Sequence, residues 1–89
     1  MSPKVLVDGS LVFWFHSHDT LYKNRASVHV GKSSQDDFND AKIWLEPQIE
    51  VSRPGRSLKR HELSRALEVI DHHRDYLLEQ WHEYKGTRS

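Results

Sequence analysis

From Lys59 to Lys85 the chain contains no glycine and no proline. Across that stretch Leu63, Ala66, Leu67, Ile70, Leu77, Leu78, Trp81 and Tyr84 recur at three- and four-residue steps, the spacing of one helix face. His73 and Arg74 fall in a gap of the stripe. The spacing predicts one long helix over residues 59–85, with a kink or split near residue 72 as the alternative and Gly86 as its natural stop. A helix with one apolar face must lay that face on something. The strands expected in the first 58 residues offer it a sheet face. This predicts a single domain over 1–89: a sheet region over 1–51, a connector over 52–58 carrying the Pro54-Gly55 turn signal, and the helix.

The sheet region reads as short strands. Leu11-Val-Phe-Trp-Phe15 is dense in aromatic and β-branched residues, while Ser27–Val30 and Ala41–Leu45 alternate, with Pro47 closing the latter. Lys4–Val7 and Gln48–Val51 are two weaker candidates. Ser33–Asp40 reads as an exposed polar loop and Asp19–Asn24 as a second loop. No connection is long enough for a helical crossover, so an antiparallel meander is the expected wiring. The fold class is α+β: a small antiparallel sheet of three to five strands with a long C-terminal helix packed on one face.

Alternation along the strands then divides the side chains. Leu11, Phe13, Phe15, Val28, Val30, Ala41, Ile43 and Leu45 are expected under the helix. Trp14, His16, His18, His29, Lys42, Trp44 and Glu46 fall on the opposite face. Two tryptophans beside titratable groups suit a binding surface, and Trp14, His16, His29, Lys42 and Trp44 are its candidate contacts. Cross-strand packing, or cover by a second copy in a homodimer, would account for the same residues without a ligand.

Charge narrows the partners. Thirteen basic and thirteen acidic residues cancel, and they cancel within each half of the chain. Nucleic-acid binding through a general basic stripe is not indicated, although Lys23, Arg25 and Lys32 could form a local basic patch. There is no apolar run of membrane-spanning length and no signal peptide, so no membrane is expected and a cytoplasmic location fits. With no cysteine, thiolate metal sites and disulfides are excluded.

Two chemistries remain. His16, His18 and His29 are the candidates for a metal site, since imidazoles suit zinc or copper, but a His-x-His pair alone does not define one and no cofactor is expected. His29 could act as a general acid or base, with Lys42 or Arg25 stabilising phosphorane charge, in a metal-independent ribonuclease. Trp81 and Tyr84 are expected to close the core at the helix end.

Ser27-Val-His-Val30, Ala41-Lys-Ile-Trp-Leu-Glu-Pro47 and the block from Leu63 to Tyr84, together with the aromatic Phe13-Trp14-Phe15 strand, resemble the bacterial and archaeal family known as domain of unknown function 4160 over roughly residues 3–85. That family's centre reads Pro-Pro-His-x-His. Here Arg25-Ala26-Ser27-Val28-His29 stands in its place, so His29 matches the second histidine, Ser27 replaces the first, and both prolines are absent. The family's N-cap serine is replaced by Lys59, leaving Ser57 as a candidate cap. The resemblance implies a small protein encoded beside another, in a toxin–antitoxin-like arrangement, with the adjacent gene's product as partner. The expectation is an interaction module that binds this partner, or itself, through the outer sheet face. The alternative is the ribonuclease using His29.

Overall fold

The computed structural model describes residues 3–22 and 24–88. Five strands, β1 (Lys4–Asp8), β2 (Leu11–Trp14), β3 (Ser27–Lys32), β4 (Ala41–Trp44) and β5 (Glu50–Arg53), form one antiparallel sheet in the order β1-β2-β3-β4-β5. The short connections dictate this meander, because each strand can reach only its predecessor. Helix α1 (Ser17–Tyr22) interrupts the β2–β3 connection, and α2 (Arg60–His72) and α3 (Arg74–Arg88) follow the sheet. The α+β architecture is therefore as the residue pattern requires, and both weaker strand candidates are strands, the second beginning at Glu50 rather than Gln48.

The side chains divide as alternation demands. Leu11, Phe13, Phe15, Val28, Val30, Ala41, Ile43 and Leu45 join Ala66, Val69, Ile70, Leu77 and Trp81 in one buried cluster. Register fixes this division: Phe13 pairs with Val30, and Val30 with Ala41, so every apolar set meets the next on the helix side. Trp81 packs edge-on against Phe15, with ring centroids 5.6 Å apart. Fully burying each such side chain contributes about 1.5–3 kcal/mol.

Three expectations are corrected. The long helix is two helices. His73, at φ −112° and ψ 20°, leaves the helical region between α2 and α3, although its N–H still donates to the Val69 carbonyl at 3.0 Å. The residue in the gap of the stripe ties the second helix to the sheet. Arg74 donates from Nε to the Leu45 carbonyl (2.8 Å) and from Nη2 to the Pro47 carbonyl (3.2 Å), anchoring α3 to the end of β4. Gly86 does not stop the chain: α3 continues through it to Arg88. And Asp19–Asn24 is not simply a loop, since its first residues belong to α1, which packs against α3 with Lys85 Nζ donating to the Thr20 carbonyl at 3.2 Å.

At the start of α2, Lys59 is the N-cap. Its N–H donates to Glu62 Oε1 at 2.8 Å, half of a capping box. Ser57 does not cap this helix; its hydroxyl donates to Asp40. Glu62 also receives Lys32 Nζ at 2.8 Å, tying the helix start to β3. Arg25 likewise pairs with Glu50 at 3.0 Å. Two members of the expected basic patch are thus matched by carboxylates, and Lys23 lies outside the described residues.

Candidate functional site

The outer face of the sheet carries the row Ser27, His29, Gly31 on β3, beside Trp14 on β2 and Lys42 and Trp44 on β4. Gly31 decides what lies over it. A Cβ there would overlap the Asp40 carboxyl and the Ser34 carbonyl, so the bare glycine lets the 33–40 loop fold onto the sheet. Asp40 is fully buried and gathers three donors: Trp14 Nε1 at 2.9 Å, the Asp36 N–H at 2.9 Å, and the Ser57 hydroxyl.

Cover from this loop and from α1 leaves Trp14 only 1% and His29 only 3% exposed. This corrects the reading of an open aromatic face. Trp14 and His29 are part of a polar second core and offer no contact area to a partner. Trp44 is half-buried, with the Arg25 guanidinium 4.2 Å and Lys42 Nζ 4.7 Å from its ring centre.

The polar core centres on Asp19, delivered by α1. Its Oδ2 receives His29 Nε2 at 3.0 Å, Ser27 Oγ at 3.4 Å and Lys42 Nζ at 3.5 Å. Burial opposes the carboxylate, but the His29 hydrogen bond and the charges of Lys42, His29 and His16 outweigh it and hold the Asp19 carboxyl at about 2, down from 3.8. The His29 ring stacks on Trp14 with centroids 4.6 Å apart, and its Nδ1 is enclosed without a hydrogen-bond partner. With Nε2 on Asp19 and Nδ1 enclosed, the His29 ring is almost wholly buried in this conformation.

His16 sits nearer the surface. Its Nδ1 accepts the His18 N–H at 3.1 Å, and its Nε2 faces Asp37 Oδ2 at 3.1 Å. His18 lies in α1 rather than on an extended strand, and its ring stands nearly perpendicular to that of His16, 6.3 Å away. The three histidines considered for metal therefore do not converge, and among the described residues no three His, Asp or Glu side chains are arranged to hold a metal ion. Around them an open hollow of about 320 Å³ is lined by His16, His18, Asp19, His29, Asp37, Lys42 and Arg53.

One surface residue escaped the sequence reading. Phe38, inside the polar 33–40 loop, is 84% exposed. The loop that carries it is rigidly tied. Ser33 N–H donates to the Ser10 carbonyl (2.6 Å), Asp40 N–H to Asp36 (2.8 Å), Arg56 and Ser57 N–H to Asn39 (2.7 and 3.0 Å), and Arg53 Nη2 to the Asp37 and Asp40 carbonyls (2.9 and 3.2 Å). The sequence signal was available: a phenylalanine among Asp36, Asp37, Asn39 and Asp40 has no apolar neighbour to bury against.

A second groove, of about 310 Å³, separates β1 from α2 and is lined by Leu6, Val7 and Val69 with the Asp8–Arg65 ion pair at its rim. No helix among the described residues is long and apolar enough to cross a membrane. A family model described as Domain of unknown function (DUF4160) matches residues 11–82. No curated protein and no solved structure matches the chain.

Proposed function

The chain belongs to the DUF4160 family, and we propose that it is a cytoplasmic interaction module, one member of a toxin–antitoxin-like pair, that binds the protein encoded by the adjacent gene through the surface around Phe38. The observation that carries this reading is the exposure of Phe38 on a loop held in place by the sheet. Leaving a phenylalanine ring in water is unfavourable by about the 1.5–3 kcal/mol that its burial would return. Interface hot spots are large side chains of this kind, and rigidity lowers the entropy lost on binding.

Support also comes from what surrounds the ring. The neighbouring Asp37 meets the half-buried His16 at 3.1 Å, and the polar core beneath fixes the loop's position. Trp14 and His29 support the loop from below in this reading, rather than touching the partner. The gene-pair arrangement implied by the family resemblance makes the adjacent product the first partner to test.

The test is co-expression with that product, followed by size-exclusion chromatography with light scattering. Wild type is expected to elute with a mass equal to a hetero-complex. Phe38→Asp should elute alone with an unchanged circular dichroism spectrum. A complex that persists in Phe38→Asp contradicts the assignment of the surface, and a wild type that ignores its neighbour contradicts the partner.

A further inference from the structure

We propose that the hollow beneath Asp37 is a phosphate-binding site, whose position the Asp37 carboxylate occupies while no ligand is bound. The proposal rests on the geometry of the hollow and is independent of Phe38.

Donors approach the hollow from separate elements: Lys42 from β4, Arg53 from β5 and His16 from the end of β2. Lys42 is placed by buried Asp19 on one side and the Trp44 ring on the other, so its ammonium is oriented before any ligand arrives. Among the described residues Arg53 bonds the loop carbonyls through Nη2 alone, leaving its other guanidinium N–H groups for a ligand. His16 has its Nδ1 engaged by the His18 N–H, which places the neutral ring's proton on Nε2, facing the hollow.

The anion now facing that Nε2 is Asp37, whose side chain is 62% exposed while His16 is 27% exposed. A carboxylate so exposed is weakly held, since even a full ion pair at the surface is worth only roughly 0–1 kcal/mol. It marks where a negative oxygen is stabilised and can be displaced by a better one. Donors drawn from three separate segments suit an oxyanion with several acceptor oxygens, as phosphate has, better than a carboxylate with two. The volume, about 320 Å³, leaves room for an ester substituent beyond the phosphate.

The test is an NMR titration of backbone amides at pH 6.5 with inorganic phosphate, with adenosine monophosphate, and with acetate as the planar control. Saturable shifts are expected at His16, Lys42 and Arg53 with phosphate or the nucleotide. Nucleotide binding much tighter than phosphate identifies an ester ligand; equal affinities identify phosphate itself. Asp37→Asn should bind at least about threefold tighter, because the resident carboxylate is gone. Lys42→Gln should bind about tenfold weaker, the usual consequence of losing one charge-assisted hydrogen bond. Should Lys42→Gln lose the native spectrum, Arg53→Gln, on an exposed strand, carries the same expectation. The proposal is overturned if neither phosphate nor nucleotide saturates wild type and Asp37→Asn, if acetate binds as tightly, if Asp37→Asn weakens binding, or if both the Lys42 and Arg53 variants bind as wild type does.

Discussion

Replacing Asp19 by asparagine separates the charge of the polar core from its shape. The amide oxygen can still accept the His29 Nε2–H, but the attraction to Lys42 and to the imidazoles is lost. Holding the carboxyl at about 2 in the folded chain, against 3.8, corresponds to about 2.5 kcal/mol of stability at neutral pH. The sign follows from proton uptake. Between pH 4 and pH 2 the unfolded chain binds a proton at this group that the folded chain refuses, so this contribution is complete above about pH 4–5 and disappears as pH falls toward 2. For a domain whose total stability is of order 5–15 kcal/mol, this is a large share. Urea unfolding followed by far-ultraviolet circular dichroism, on wild type and Asp19→Asn at pH 7, 5, 4, 3 and 2.5, isolates the effect, because every other acid is common to both proteins. The variant should be less stable by about 2 kcal/mol at pH 7, a fall of roughly 1–2 M in the urea midpoint. The two proteins should converge at the acid end. A difference that stays constant from pH 7 to pH 2.5, or no difference at pH 7, would refute the assignment of Asp19 as the charged centre of this core.

Other perturbations test the remaining supports. Gly31→Ala must displace Asp40 and the Ser34 carbonyl, so a loss of at least about 1–3 kcal/mol and a red shift in tryptophan emission are expected, as the loop lifts from Trp14. Trp14→Phe keeps most of the ring but removes a donor from buried Asp40, at a cost of about 1–3 kcal/mol in denaturant unfolding. Trp81→Ala opens a cavity beneath Phe15 and should cost about 3–5 kcal/mol, enough that thermal unfolding by circular dichroism would show a Tm lower by many degrees.

Much of the fold could be read from local pattern because local pattern is what fixes it. The period-two alternation of Leu11-Val-Phe-Trp-Phe15 and Ala41–Leu45 assigns each side chain to a face, and short loops leave the meander as the simplest route. What escaped was set by contacts distant in sequence. No glycine or proline marks the break at His73, and the bonds of Arg74 to Leu45 and Pro47 belong to the folded state alone. α1 is six residues long, too short to announce itself by periodicity. The outer face was read as open because nothing near Trp14 supplies its N–H partner: that partner, Asp40, lies 26 residues on. Gly31 was the overlooked cue, since a lone glycine in a strand marks close approach of another backbone or side chain. Once the loop is folded onto it, Trp14 and His29 change from contacts to supports and Phe38 becomes the candidate contact.

The affinity of the adjacent gene's product for wild type and for Phe38→Ala, measured by calorimetry, tests the proposed role of this surface most directly. A weakening of about thirtyfold or more, equivalent to a loss of about 2 kcal/mol, is expected of a hot-spot side chain, with the unfolding free energy unchanged within about 0.5 kcal/mol because the ring is 84% exposed. Equal affinities for the two proteins would contradict it.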